Sequence, residues 1–257
     1  MLRRNVAFSV AVDVLRFVRR CCISLVLIRV EALHKLEQTM RTTSSVLSTI
    51  TCSSIVALVL AAEHPAASVS ADAAMAKLKE GNLRFAASEV SQSKPTAARR
   101  AETAQEQHPF AIILGCADSR TAPELIFDQN LGDLFVIRTA GNLVDDHALG
   151  SIEYAVAHLG ARLVVVLGHQ RCGAVKAALE SDHAPGHVES LVRDIQPAVK
   201  AAKGKPGDAL SATVTENARQ VADQIKQKAA LGDLAKEVRI VYAVYDLDTG
   251  KIAWANN

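Results

Sequence analysis

Short, fully apolar runs recur in this chain from about residue 110 onward, and longer stretches with apolar residues at helical spacing lie between them. The first and third runs end at Gly115 and Gly168, which is typical of buried strands in a parallel sheet. The predicted strands are residues 110–114, 133–137, 162–167 and 238–245. After the last of them, residues 248–250 predict a turn that leads the chain back through residues 251–254.

Helices are predicted between these strands. Before Gly160, apolar residues recur at steps of three and four, which predicts a crossover helix with Gly160 as its C-cap. Its apolar positions are Leu149, Ile152, Val156 and Leu159. The other predicted helices are residues 72–87, a helix capped by Thr121 with Pro123 in its first turn, residues 188–203 with a kink near Pro197, and residues 210–231. This β-α-β order predicts a single α/β domain over residues 72–257, with a mostly parallel central sheet flanked by helices.

A separate pattern precedes this domain. Residues 40–71 begin with one basic residue, Arg41, become apolar over residues 55–62 and end in Val69-Ser70-Ala71. This pattern predicts a signal peptide cleaved before Asp72, which makes the protein periplasmic or secreted. The apolar centre is too short to span a bilayer, so no stable membrane anchor is expected. The alternative is a disordered or loosely helical N-terminal extension.

The first 39 residues have two interpretations. Arginines interrupt their apolar patches, which makes a membrane-spanning helix costly. An upstream extension added by a wrongly assigned start codon, with the true start at Met40, explains why the signal-like segment is internal. An Arg-rich organelle transit peptide is the other interpretation. If residues 40–71 are not a signal, the protein is targeted to an organelle or is cytoplasmic.

The charge distribution and the motifs argue against two functions, nucleic-acid binding and nucleotide-dependent catalysis. Residues 1–39 carry seven Lys and Arg against three Asp and Glu, whereas residues 72–257 carry 21 against 23. The domain is therefore slightly acidic and has no basic face for nucleic acid. The glycines of residues 168–173 have phosphate-loop spacing, but Ala174 and Val175 stand where Lys and Ser or Thr are required, which argues against a nucleotide enzyme.

Three side chains with affinity for zinc follow the predicted strands. Cys116 comes after the first strand, and His169 and Cys172 come after the third. Because ligands bind at the carboxyl ends of strands in an open α/β sheet, these residues are expected to converge. Two thiolates and one imidazole make a zinc site with an open fourth position. A disulfide between Cys116 and Cys172 is the alternative in an oxidising compartment.

The motifs around these ligands resemble those of the β-class carbonic anhydrases. The resemblance extends from about residue 72 to residue 254 and rests on C-x-D-S-R at 116–120, G-H-x-x-C-G at 168–173, and the segments at 81–85, 138–142, 151–156 and 245–250. It implies one Zn²⁺ per chain and reversible hydration of carbon dioxide to bicarbonate and a proton by attack of zinc-bound hydroxide. It also implies a homodimer or higher even oligomer in which the helix at 72–87 packs on a partner subunit.

Met75, Leu78 and Phe85 lie on one side of that first helix. The helix is expected to lie outside the sheet core. Its apolar side then needs a partner, which supports an oligomer.

The resemblance also assigns roles at the site. Asp118 and Arg120 correspond to the catalytic pair, and in some members the aspartate binds zinc directly and closes the site. An ion pair that only fixes the loop is the alternative for these two residues. Gln107 matches a glutamine that hydrogen-bonds carbon dioxide or bicarbonate. The expected pocket wall comprises Phe135, Ala140 and Tyr154.

Two other functions remain open from the sequence. Carbon disulfide and carbonyl sulfide hydrolases share this fold and site. A zinc-stabilised binding protein without turnover belongs to a different class. Assays of carbon dioxide hydration and carbonyl sulfide hydrolysis on the same protein separate the three.

Overall fold

The structure is a computed structural model that describes residues 69–91 and 96–255. Its helices are α1 Ala71–Ala86, α2 Ala97–Thr103, α3 Pro123–Ile126, α4 Asp146–Leu159, α5 Gly173–Glu180, α6 Val188–Ala202 and α7 Ala209–Lys228. Its strands are β1 Ala111–Cys116, β2 Leu134–Thr139, β3 Leu163–His169, β4 Arg239–Tyr245 and β5 Ile252–Trp254. Short 3-10 helices cover Ala140–Asn142 and Gly232–Lys236. The predicted leader segments, residues 1–39 and 40–71, lie outside the described residues apart from residues 69–71.

The strands form one sheet in the order β2-β1-β3-β4-β5. β1 pairs in parallel with β2 and β3, and β3 pairs in parallel with β4. β5 returns antiparallel to β4, as the predicted turn required. Every residue of β1 and β3 is buried, because these two strands lie inside the sheet with helices over both faces. The prediction of a mostly parallel sheet is therefore confirmed.

Alternate strand residues face two different helix layers. On one face, α1 and α3 pack in a single core with strand residues such as Ile113, Val165 and Val241. On the other face, α4 and α7 pack against the intervening residues of the strands, such as Leu114, Val164 and Val166. This arrangement follows from the two-residue period of a strand, which sends successive side chains to opposite faces.

Helix α1 belongs to the core of its own chain. Leu78 is fully buried, and Met75 lies in the same apolar cluster with Phe85 packed at its margin. The expectation that this helix lies outside the sheet core is wrong, because its apolar side covers one face of the sheet. The oligomer argument from these three residues is therefore lost. Packing of the helix's outer face on a partner subunit stays a prediction.

Asn82 fastens α1 to the sheet. Its side-chain nitrogen donates to the carbonyls of Ile126 and Gly250, at 3.2 and 2.8 Å, and its oxygen accepts from the Ile252 N–H. These hydrogen bonds pair three backbone groups next to the helix, two of which belong to the β4–β5 hairpin region. These hydrogen bonds fix the position of α1 along the sheet, in addition to its apolar packing against it.

Two local predictions differ from the structure. The N-cap of α3 is Ala122, while the Thr121 hydroxyl donates instead to the carbonyls of Cys116 and Asp118. Pro123 does occupy the first helical turn. Helix α5 was not predicted, since it spans only eight residues directly after Cys172. None of the helices in the described ranges combines the length and apolar character needed to cross a membrane.

Candidate metal centre

The sheet topology brings the three predicted zinc ligands to one edge. Cys116 is the last residue of β1 and His169 the last residue of β3. These strands are parallel neighbours, with Gly115 opposite Leu167, so both ends point to the same edge. Cys172 follows three residues after His169 as the N-cap of α5. The three residues therefore converge in the structure, as was predicted from the carboxyl ends of parallel strands.

The distances between the ligand atoms suit a tetrahedral metal. The Sγ atoms of Cys116 and Cys172 are 4.0 Å apart, and the ligand atoms of both cysteines and His169 all lie within 4.8 Å of one another. Two sulfurs each about 2.3 Å from a zinc ion at the tetrahedral angle are about 3.8 Å apart. All three residues are buried, and both cysteines are free thiols. The residues present therefore fit a zinc ion.

The orientation of His169 also suits a ligand. Its Nδ1 lies 2.9 Å from the Gln170 carbonyl oxygen, so Nδ1 carries the proton and donates it there. Its Nε2 then presents a lone pair. That atom is buried and has no hydrogen-bond partner within the described part of the chain. A buried acceptor that faces two thiols, on a ring fixed by a hydrogen bond from its other nitrogen to a backbone carbonyl, is the usual arrangement of a zinc histidine.

The two thiols differ in acidity. A hydrogen bond from the Cys172 thiol lowers the pKa of Cys116, and the backbone N–H groups of residues 118 and 141 act in the same direction. The pKa of Cys172 is raised, chiefly because its proton is held in the hydrogen bond to Cys116 and because the site is buried. Cys116 therefore ionises first.

A side chain of β2 holds the loop that follows Cys116. The Arg138 guanidinium donates to the Cys116 carbonyl at 2.9 Å and to the Asp118 carbonyl at 2.6 Å. Arg138 belongs to one of the segments that carry the family resemblance, but the sequence alone predicts no role for it. In the structure it fixes the backbone between a ligand and the predicted catalytic aspartate.

Asp118 and Arg120 form an ion pair beside the ligands. Arg120 Nε and Nη2 donate to the two carboxylate oxygens of Asp118 at 2.9 and 2.7 Å, and the Arg120 backbone N–H adds a third hydrogen bond. The Arg120 hydrogen bond holds the pKa of Asp118 well below its usual range. Asp118 Oδ2 is 3.9 Å from His169 Nε2. The carboxylate therefore lies next to the ligand cluster while engaged by arginine, and the group of potential ligands comprises Cys116, His169 and Cys172 without it.

The predicted pocket residues are not all brought to this edge. Ala140 follows β2 directly and precedes Gly141, whose N–H contacts Cys116. Phe135 pairs with Ile112, four residues before Cys116, which places it about 13 Å back along the sheet. Tyr154 lies beside Phe135, with ring centroids 6.5 Å apart. Gln107 is exposed and precedes the opposite end of β1.

Comparison with known proteins agrees with the geometry. A sequence model of the carbonic anhydrase family matches residues 111–252. A carbonic anhydrase of Mycolicibacterium smegmatis is 41% identical over 189 residues, which cover 70% of this chain and 91% of that protein. Carbonic anhydrase 2 of Mycobacterium tuberculosis is 42% identical over 193 residues, covering 70% and 90%.

A solved structure is similar in both fold and sequence. The β-carbonic anhydrase CafA of Aspergillus fumigatus superposes with a TM-score of 0.57 at 25% identity, covering 72% of this chain and 90% of that chain. The family model extends over the strands that carry Cys116 and His169. The chain belongs to the β-carbonic anhydrase family.

Proposed function

We propose that this protein is a zinc-dependent carbonic anhydrase that converts carbon dioxide and water to bicarbonate and a proton, and catalyses the reverse reaction. The observation that carries this proposal is the convergence of Cys116, His169 and Cys172 at one sheet edge, with the Asp118–Arg120 ion pair beside them. Those three side chains hold the zinc. When bound, zinc lowers the pKa of a water molecule toward neutrality and so supplies the nucleophile for carbon dioxide.

Asp118 orients the attacking oxygen. Its carboxylate Oδ2 lies 3.9 Å from His169 Nε2, beside the three side chains that would hold the zinc. It is an ionised acceptor, because Arg120 keeps its pKa low. An ionised carboxylate there accepts a hydrogen bond from the attacking water and turns that oxygen's remaining lone pair toward the carbon.

Arg120 keeps Asp118 in that role. A carboxylate this close to the ligands would itself be able to bind the zinc that they hold, and a carboxylate bound in that way would block the reaction. The guanidinium makes two side-chain hydrogen bonds to the same carboxylate, in the geometry that arginine offers best. The ion pair therefore favours the open arrangement.

Paired assays on one preparation test this function. Stopped-flow hydration of carbon dioxide by the purified zinc-loaded protein is expected to exceed the uncatalysed rate by orders of magnitude. Hydrolysis of carbonyl sulfide is expected to be much slower. Faster turnover of carbonyl sulfide would reassign the enzyme to that substrate, and no turnover of either would leave a zinc-stabilised protein without catalysis.

The protein acts as a dimer or higher even oligomer. Strand β2 is an edge strand whose residues are all partly exposed, although its sequence begins Leu-Phe-Val-Ile. Apolar edge strands are normally covered by another part of the protein or by a partner chain. The pocket residues implied by the family resemblance, Gln107, Phe135 and Tyr154, lie away from the ligands of their own chain. A second copy that packs along β2 would bury this strand together with Phe135 and the neighbouring Tyr154.

The protein is exported through its signal-like segment, residues 40–71. Support comes from the basic start, the apolar centre and the small residues before Asp72. Mass spectrometry of protein from the native host is expected to find an N-terminus near Asp72. Intact residues 1–39 on the mature protein would contradict export.

A further inference from the structure

Helix α7 carries a buried polar side chain that the reaction does not explain. Asn217 is 2% exposed in the middle of this helix. Its side-chain nitrogen donates a buried hydrogen bond of 2.8 Å to the Gly141 carbonyl, 76 residues away in sequence. A buried amide is costly unless it is hydrogen-bonded, so its placement here calls for a reason.

The turn that Asn217 holds is irregular. Gly141 and Asn142 have φ angles of +73° and +47°, a left-handed pair that few residues other than glycine and asparagine adopt. A Cβ on Gly141 would lie 3.1 Å from Ile195 Cδ1 and 3.4 Å from Ala174 Cβ, so the turn is wedged between α6 and α5. Such a conformation persists only where its surroundings enforce it.

The same turn contacts the metal centre. The Gly141 N–H donates to Cys116 Sγ at 3.3 Å. The Asn217 face of α7 also supports the other ligand strand, because a Cβ on Gly168 would meet Val214 Cγ1 at 3.3 Å and Ala218 Cβ at 3.4 Å. One helix face therefore packs against Gly168, the residue before His169, and also holds the turn whose N–H donates to Cys116.

We propose that Asn217 is a positioning residue of the metal centre, which holds the Gly141 turn so that the Gly141 N–H donates to the Cys116 thiolate. This inference rests on the proposed function only in requiring that Cys116 bind a metal. An N–H donor stabilises the thiolate over the thiol and withdraws charge from the sulfur. Outer hydrogen bonds of this kind typically change metal affinity by about 10- to 100-fold.

Asn217→Leu tests the inference, since leucine has similar bulk and no donor. Zinc affinity, measured by competition with a chromophoric chelator, is expected to fall by about 10- to 100-fold. In the Co²⁺-loaded protein, the thiolate-to-cobalt charge-transfer band is expected to move to longer wavelength, because a thiolate without its hydrogen bond gives up an electron more easily.

Thr213→Val is the matched control. Thr213 is fully buried on the same helix, and its hydroxyl donates only within the helix, to the Ala209 carbonyl. This variant is expected to keep the parent's zinc affinity and cobalt band. An Asn217→Leu variant that unfolds at the same temperature as Thr213→Val, yet has the parent's zinc affinity and cobalt band, would overturn the inference.

A measurement on the parent protein keeps the inference open to refutation even if Asn217→Leu does not fold. In protein loaded with ¹¹³Cd²⁺, the Gly141 amide proton is expected to exchange slowly and to show scalar coupling to cadmium through the Cys116 sulfur. Rapid exchange without coupling would refute the inference. Because these readouts concern metal binding, a protein that binds metal but does not hydrate carbon dioxide would contradict the proposed function alone.

Discussion

At the residue scale, the pairing of Arg120 with Asp118 is the contact on which activity depends most. Arg120→Ala keeps Cys116, His169 and Cys172, so zinc content is expected to stay at about one per chain. Carbon dioxide hydration is expected to fall by about 10² to 10⁴, the usual effect of losing a positioned proton-handling group. The loss is expected across the whole pH range in which the parent is active, because the freed carboxylate competes for the metal.

Arg193→Ala serves as the control for that substitution. Arg193 also pairs with a nearby aspartate, Asp194, at 2.9 Å, but on the exposed surface of α6. Its loss is expected to leave both zinc content and activity unchanged. If Arg120→Ala retained zinc and the parent's kcat/KM, the ion pair would only fix the loop.

Glu216 gives a prediction about stability and pH. Its carboxylate is only 3% exposed and accepts hydrogen bonds from Arg219, Lys205 and Gln220. The Arg219 hydrogen bond, supported by Lys205, lowers the pKa of Glu216 to about 2. A carboxyl group whose pKa is lowered by folding stabilises the protein above its unfolded pKa of ~4.3, and this contribution is lost as the pH falls toward 2.

Glu216→Gln is therefore expected to destabilise the protein by about 1–3 kcal/mol near neutral pH. Urea unfolding of the zinc-loaded variant and parent should give a difference that shrinks as the pH is lowered from 5 toward 2. Glu180→Gln removes an exposed pair with Lys176 and should cost less than about 0.5 kcal/mol. A Glu216→Gln difference that stays constant with pH would rule out the ionised carboxylate as its source.

At the scale of elements, an ion pair joins the ligand loop to the β4–β5 turn. Arg171, between His169 and Cys172, donates to both carboxylate oxygens of Asp248 at 2.7 and 2.8 Å. Its φ of +53° is a left-handed conformation that a non-glycine residue rarely adopts. The ion pair spans 77 residues and helps to hold that conformation.

Asp248→Asn is expected to accelerate zinc dissociation by about two- to five-fold, which corresponds to a surface ion pair of ~0.5–1 kcal/mol. Arg171→Ala should behave similarly, and the double variant should be no worse than either single one. Glu237→Gln is the control, because it breaks the exposed pair with Arg162 at the other end of β3. Additive effects in the double variant would show that the two side chains act independently.

The positions of the strands could be predicted because short, largely apolar runs of five to eight residues mark them. The ligands could be predicted because each follows such a run. The packing of α1 on the sheet could not be predicted. Helical periodicity shows which side of a helix is apolar, but not which part of the protein that side packs against. The contacts of Asn217 and Asp248 could not be predicted, because their partners are 76 and 77 residues away. Short α5 was missed because eight residues contain too few turns for a clear period.

At the scale of the whole molecule, the half-exposed edge strand β2 predicts self-association. Tyr154 is 48% exposed next to Phe135 on this side of the sheet. Tyr154→Asp is expected to shift the protein to the monomer in light scattering and to lower carbon dioxide hydration, because a charge opposes burial of this surface. Val188→Asp, at a position 46% exposed on α6, should leave assembly unchanged. A parent protein that is monomeric and fully active at assay concentration would contradict the oligomer.

The central claim is that a zinc ion held by this site carries out the hydration of carbon dioxide. The return of activity when zinc is added back tests that claim most directly. Protein stripped of metal by a chelator is titrated with zinc while carbon dioxide hydration is followed. The rate is expected to rise in proportion to added zinc and to level off at about one zinc per chain. His169→Ala should recover little activity, whereas His183→Ala, at an exposed surface histidine paired with Glu189, should recover it fully. Metal-free protein that hydrates carbon dioxide as fast as the zinc-loaded protein, or a His169→Ala variant that regains the parent's rate, would contradict the account.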